Sequence, residues 1–189
     1  MLKRGFTLAE VLITMGVIGV VAALTIPSLS ANYQKRVLTT QLQKAYAELS
    51  QAGSMALSEE MSSDIDRTRA FRDNNFLQTY LTKSTSCGIS SCFAQAYKSQ
   101  WRGDNDYEPT RFPMTSYSCV RSAAGYSVCF GKLSYDTNLN YGILDVNGTK
   151  GPNKMGVDFY RIYFKKRGGL VGYQQELINI LENDWNIDF

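Results

Sequence analysis

Residues 3–27 read KRGFTLAEVLITMGVIGVVAALTIP, and the reading of the whole chain turns on one letter of that stretch. Between Arg4 and Lys35 the only formal charge is Glu10. The 22 residues from Phe6 to Pro27 make, at about 1.5 Å per residue, a helix of about 33 Å, which matches a hydrocarbon core of about 30 Å. A carboxylate inside such a span is costly and needs a partner.

The rest of the composition sets the frame. The chain has 189 residues, 44% hydrophobic and 20% charged, enough for one globular domain with appendages. Its net charge of +3 falls by two without Lys3 and Arg4, so no basic field compels nucleic-acid binding. Histidine is absent, which removes the commonest general base and metal ligand. Three readings of the N-terminus stand: an uncleaved anchor, a secretory signal cut near Val21-Ala22-Ala23, and a leader cut earlier, at Gly5. Glu10 argues against the ordinary signal, because a carboxylate in the apolar region weakens it.

Lys3-Arg4-Gly5 followed by Phe6-Thr7-Leu8-Ala9-Glu10 resembles the leader and cleavage junction of the type IV pilin-like proteins, which include type IV pilins, minor pilins and the pseudopilins of type II secretion systems. The specific resemblance covers roughly the first sixty residues. It implies that a prepilin peptidase cuts after Gly5 and methylates the new amino terminus at Phe6. It also implies that Glu10 and Pro27 match the family's glutamate and the proline that ends its apolar segment. The partner of Glu10 is then the Phe6 ammonium, of its own chain or a neighbour's, and the pair fixes the axial step of a helical filament. The alternative is a Glu10 that snorkels at headgroup depth. Gly16, Gly19 and Pro27 mark where the helix can soften, kink or melt.

What the resemblance implies for the whole chain is an α+β pilin-like subunit divided into a leader over residues 1–5, an apolar transmembrane helix over 6–27, an amphipathic continuation over 28–62 and a globular domain over 63–189. Its expected partners are the prepilin peptidase, other pilin or pseudopilin subunits and an inner-membrane assembly platform driven by a separate ATPase. The distal domain is expected outside the cytoplasm. Nucleic acid becomes a partner only if the filament takes up DNA; adhesion, motility and secretion are the other uses. The alternatives are a monomeric membrane-anchored binding domain and an enzyme released by signal peptidase. The irregular, tyrosine-rich distal part leans toward a minor subunit or pseudopilin. No nucleophile–base pair or nucleotide loop is evident, so a non-enzymatic subunit without a cofactor is expected, calcium aside.

Beyond the apolar stretch, Leu38, Leu42, Ala45, Leu49, Ala52 and Ala56 recur at alternating steps of four and three, one stripe of a helix. Joined to the apolar segment it predicts a single helix of about fifty residues, on the order of 80 Å long. Asp66 to Lys83, with Phe71, Phe76, Leu77, Tyr80 and Leu81, predicts a second helix capped by Ser63 or Asp64. From Cys87 the texture predicts a small antiparallel sheet with long loops. Tyr97 to Pro113 reads as an irregular loop held by Trp101 and Phe112, and Gln174 to Phe189 as a short helix docking through Leu177, Ile178, Leu181 and Trp185.

The four cysteines allow three pairings. A hairpin turning at Ala123-Ala124-Gly125 puts Cys119 opposite Cys129, with Val120 and Val128 on the other face, and leaves Cys87 and Cys92 to close a small loop. Spacings of four and nine intervening residues do not fit paired zinc knuckles. Between the strand-like runs Tyr141–Val146 and Val157–Phe164 lies a loop in which Asp145, Asn147, Asn153 and Asp158 offer oxygen ligands to calcium. The spacing departs from an EF-hand, and the alternative is a hairpin loop whose Asn147-Gly148 and Gly151-Pro152 are turn residues. Lys165-Lys166-Arg167 is the one basic cluster, a solvated turn or a phosphate contact.

Overall fold

A computed structural model describes residues 7–99, 106–111, 114–133, 136–172, 175–185 and 187. The chain divides into two units, Met1–Val37 and Leu38–Phe189.

In the first unit the backbone enters helix α1 (Leu8–Glu59), which continues helically through Pro27. From Leu8 to Leu29 the helix carries exposed large apolar side chains at nearly every turn, and Glu10 is the only charge in that span. An 18-residue window has a mean hydropathy of 2.2 with none of it buried, so this helix is long and apolar enough to cross a membrane.

In the second unit the character of α1 changes. Leu38, Leu42, Ala45, Leu49, Ala52 and Ala56 are all buried, as the four-and-three spacing predicts. They lie on one face of a six-stranded antiparallel sheet whose neighbours follow chain order: β1 (Ser84–Ser86), β2 (Met114–Ser122), β3 (Ser127–Leu133), β4 (Asp136–Asp145), β5 (Phe159–Phe164) and β6 (Leu170–Gly172). The small residues in the stripe let helix and sheet close together. A Cβ on Gly53 would stand 2.7 Å from the Phe164 ring and 2.8 Å from the Gly168 carbonyl oxygen.

Period-two alternation gives the sheet two cores. Val120, Val128, Phe130, Leu144, Ile162 and Phe164 join the α1 side, while Cys119, Cys129, Ile143 and Phe159 face the opposite cluster with Phe93, Tyr97 and Met155. The hairpin between β2 and β3 turns where expected. Gly125 takes a φ of 99°, a conformation glycine adopts without steric cost, and Cys119 pairs in register with Cys129, Val120 with Val128. Strands β4 and β5 bracket the 146–158 loop, and helix α5 (Gln175–Glu182) docks through buried Leu177 and Ile180, with Trp185 edge-on to Tyr46 at 5.4 Å.

One expectation fails. Asp66 to Lys83 is not a single helix but a 3₁₀ turn at Ile65–Arg67, α2 (Arg69–Arg72) and α3 (Phe76–Tyr80). Asp64 does cap the first turn, its carboxylate accepting from Asp66 N at 3.1 Å. After α2 the chain stops at Asn74, with φ of 58°, while Asn75 N donates back to Ala70 O at 3.0 Å, a Schellman closure. Packing explains the break. On a continuous helix Phe71 and Phe76 would point about 140° apart, at about 100° per residue. With the break both rings enter the core, stacked at 4.2 Å, and both meet Phe130 and Phe164. The segment read as an irregular loop from Tyr97 is tied to Tyr107 by two backbone hydrogen bonds of 2.8 Å; the anchors expected at Trp101 and Phe112 lie outside the described residues.

Candidate functional site

The junction at Gly5 and Phe6 lies outside the described residues, which begin at Thr7. Thr7 caps α1. Its backbone N–H and its hydroxyl each donate to Glu10 Oε2 at 2.8 Å, and Glu10 N donates to Thr7 Oγ1 at 3.3 Å. This is a reciprocal capping box, which satisfies donors that a helix start leaves open and sets a carboxylate against the positive end of the helix dipole. The consequence is positional. The Glu10 side chain turns back along the helix toward its first residue rather than out from the apolar face, and Thr7, which holds it there, directly follows Phe6. Thr7-x-x-Glu10 is visible in the sequence as a capping box, yet reading Glu10 as the partner of an amine passes over Thr7.

Around this polar turn the surface is hydrocarbon. Leu8 is 81% exposed and Met15 67%. Gly16 and Gly19 have nothing within 4 Å of a built Cβ, so that face of the helix is open to close approach. A contiguous apolar surface of this kind is a lipid or helix-packing surface.

The four cysteines form two disulfides, Cys87–Cys92 and Cys119–Cys129, with Cα atoms 5.8 and 4.0 Å apart, and no free cysteine remains. Both pairings are those expected. The first closes the turn into α4 (Ile89–Cys92), and the second ties β2 to β3 under the outer core.

The four oxygen-bearing residues of the 145–158 stretch do come together, and a fifth residue joins them. Asp145 and Asp158 are fully buried at the adjoining ends of β4 and β5. Asp145 Oδ1 accepts from Asn147 N at 3.0 Å, and its Oδ2 accepts a short hydrogen bond from the Tyr97 hydroxyl. Asp158 Oδ1 accepts from Lys154 N at 2.7 Å, and its Oδ2 from Asn153 N at 2.7 Å and Asn147 Nδ2 at 3.4 Å. Tyr97 Oη in turn accepts from Ala94 N at 3.0 Å. Burial pushes the Asp145 carboxyl up to about 7, against the hydrogen bonds it accepts, and burial also raises Asp158. Burial, reinforced by the Asp145 charge, raises the Tyr97 phenol, so the hydroxyl remains a donor. Nothing local in the sequence points to Tyr97, which lies 48 positions from Asp145.

This arrangement is a hydrogen-bonded clasp. Every carboxylate oxygen faces an N–H or O–H donor. The Asn147 and Asn153 carboxamide oxygens are buried without a hydrogen-bond partner, so they and the two carboxylates are the oxygens a cation would use. Among the described residues no group of three or more acidic, cysteine or histidine side chains is placed to hold a metal. Lys165, Lys166 and Arg167 sit exposed on the turn between β5 and β6.

Residues 1–26 match the family model for the prokaryotic N-terminal methylation motif, the signature of type IV pilins and pseudopilins. No curated protein and no solved structure matches the chain.

Proposed function

We propose that this chain is a structural subunit of a type IV pilus or type II secretion pseudopilus. The observation that carries the reading is the methylation motif at residues 1–26, set on a helix whose first turn holds Glu10 in a capping box and whose next turns expose large apolar side chains and carry no charge. In this reading a prepilin peptidase cuts after Gly5, leaving Phe6 as a methylated ammonium. The apolar segment, residues 6–27, holds the subunit in the inner membrane with the distal domain outside the cytoplasm. The two disulfides support that side, since they persist in oxidising compartments. Polymerisation on the assembly platform then exchanges lipid for helix contacts with other subunits.

Glu10 is the register mark. Two opposite charges about 4 Å apart attract by about 4 kcal/mol at an effective dielectric constant of 20. Slipping a subunit along the stack gives up that attraction and leaves both charges without a partner in an apolar setting. A kink at Pro27 would serve the same packing, adjusting the helix to its neighbours.

The test is Glu10→Ala with filament recovery as readout. We expect assembly to drop while membrane insertion persists; undiminished filaments would refute the reading. Intact-mass measurement of membrane-extracted protein separates it from a monomeric anchor. Loss of residues 1–5 with addition of a methyl group supports the filament subunit, and an uncut chain supports the anchor.

A further inference from the structure

We infer that the Tyr97 hydroxyl is the positioning group that locks the loop between β4 and β5 to the segment covering the outer face of the sheet, and that this joint holds without a cation. Each carboxylate oxygen at these strand ends is aimed at a donor. Asp158 here draws Asn153 N and Lys154 N to 2.7 Å each, one on each oxygen, so the loop folds back onto the start of its own strand. Asp145 does the same for Asn147 N.

Tyr97 extends the clasp to a second segment. Its hydroxyl donates to Asp145 and accepts from Ala94 N, its ring lies 4.1 Å from that of Phe159, and its backbone pairs both ways with Tyr107. The next residue continues the joint, with Lys98 N donating to Asn153 O at 2.9 Å and Met155 N donating to Lys98 O at 3.0 Å. The two covering segments therefore meet the sheet at one place, the paired ends of β4 and β5. The Asn147 side chain joins the same place, donating to Gly151 O at 3.0 Å and to Asp158 Oδ2 at 3.4 Å.

Two arms test this on the full-length protein in detergent micelles. The first measures amide hydrogen exchange of the wild type in millimolar calcium chloride and in excess chelator. We expect the amides of Asn147, Asn153 and Lys154 to exchange equally slowly in both, with no saturable heat on titrating calcium chloride. Saturable calcium binding that is lost in Asp158→Asn, or protection of those amides that appears only with calcium, would overturn the metal-free clasp. The second arm uses Tyr97→Phe, which keeps the ring and removes the hydroxyl. Exchange at Asn147, Ala94 and Tyr107 should quicken together, by tenfold or more, with and without calcium. Unchanged exchange at Ala94 and Asn147 in that variant would overturn the role of Tyr97. If Tyr97→Phe does not fold, the wild-type arm still decides between the clasp and a cation.

Discussion

Thr7 and Glu10 hold each other across the first turn of α1, the threonine amide and hydroxyl both donating to one carboxylate oxygen at 2.8 Å. An N-cap of this kind stabilises a helix start by about 1 kcal/mol. In the proposed filament the cap would recur in every subunit and hold each Glu10 in the same orientation. Replacing Thr7 with alanine should therefore lower filament recovery, though less than Glu10→Ala, because the charge remains while its orientation is lost. Thr7→Ser should restore it, since serine keeps the hydroxyl. Shearing cells and weighing the released filaments against the membrane pool measures this, and equal recovery for Thr7→Ala and wild type would deny Thr7 a role.

The clasp predicts a pH dependence. The Asp145 carboxyl stands near 7 in the fold against an ordinary 3.8, its proton-bearing form being the one that burial favours. A carboxyl raised on folding contributes its stability in full below about 3.8 and loses it as pH climbs through about 7. Burial moves Asp158 in the same direction. The distal domain should melt at a lower temperature at pH 8.5 than at pH 5.5, by on the order of a few kcal/mol in stability. Asp145→Asn should flatten that slope, and parallel slopes in the two proteins would show that Asp145 does not titrate there.

Gly53 sets up two opposed effects of known size. Alanine in a helix interior is favoured over glycine by about 1 kcal/mol. At this position, however, the added methyl would press on the Phe164 ring at 2.7 Å and on a backbone carbonyl, Gly168 O, at 2.8 Å. Overpacking of that kind costs about 1–3 kcal/mol, and a carbonyl fixed in a turn cannot swing aside. Gly53→Ala should lower the thermal midpoint despite its better helix propensity. A rise would mean that the helix and the β5–β6 turn can separate freely.

The elements that sequence could show are those whose signal is local. The α1 stripe is periodic over nineteen positions from Leu38 to Ala56, and the β2–β3 hairpin carries its alternation, its turn glycine and both cysteines within sixteen residues. Where sequence was silent, the deciding contact is distant. The break at Asn74 answers to Phe130 and Phe164, which both Phe71 and Phe76 must reach. Strand β1 is Ser-Thr-Ser, with no apolar alternation to announce it, and it exists because β2 offers its edge. At the candidate site the processing junction and Glu10 stood out as residue types out of place. Tyr97 did not, because a tyrosine in a tyrosine-rich domain carries no mark until Asp145 is seen beside it.

The two disulfides should differ in what they contribute. Cross-linking removes chain entropy from the unfolded state in proportion to the logarithm of the loop closed, so the separation of 10 between Cys119 and Cys129 outweighs the separation of 5 between Cys87 and Cys92. Position widens the gap. Cys119 and Cys129 face the outer core on two interior strands, β2 and β3, whereas Cys87 is half-exposed beside the edge strand β1. Replacing Cys119 and Cys129 together by serine should cost about 2–3 kcal/mol in chain entropy, before any cost of burying two hydroxyls. Replacing Cys87 and Cys92 should cost less and act chiefly on the α4 turn. Urea denaturation of both double variants compares them directly, and a larger loss for the Cys87–Cys92 pair would show that the small loop, not the β2–β3 hairpin, anchors the distal core.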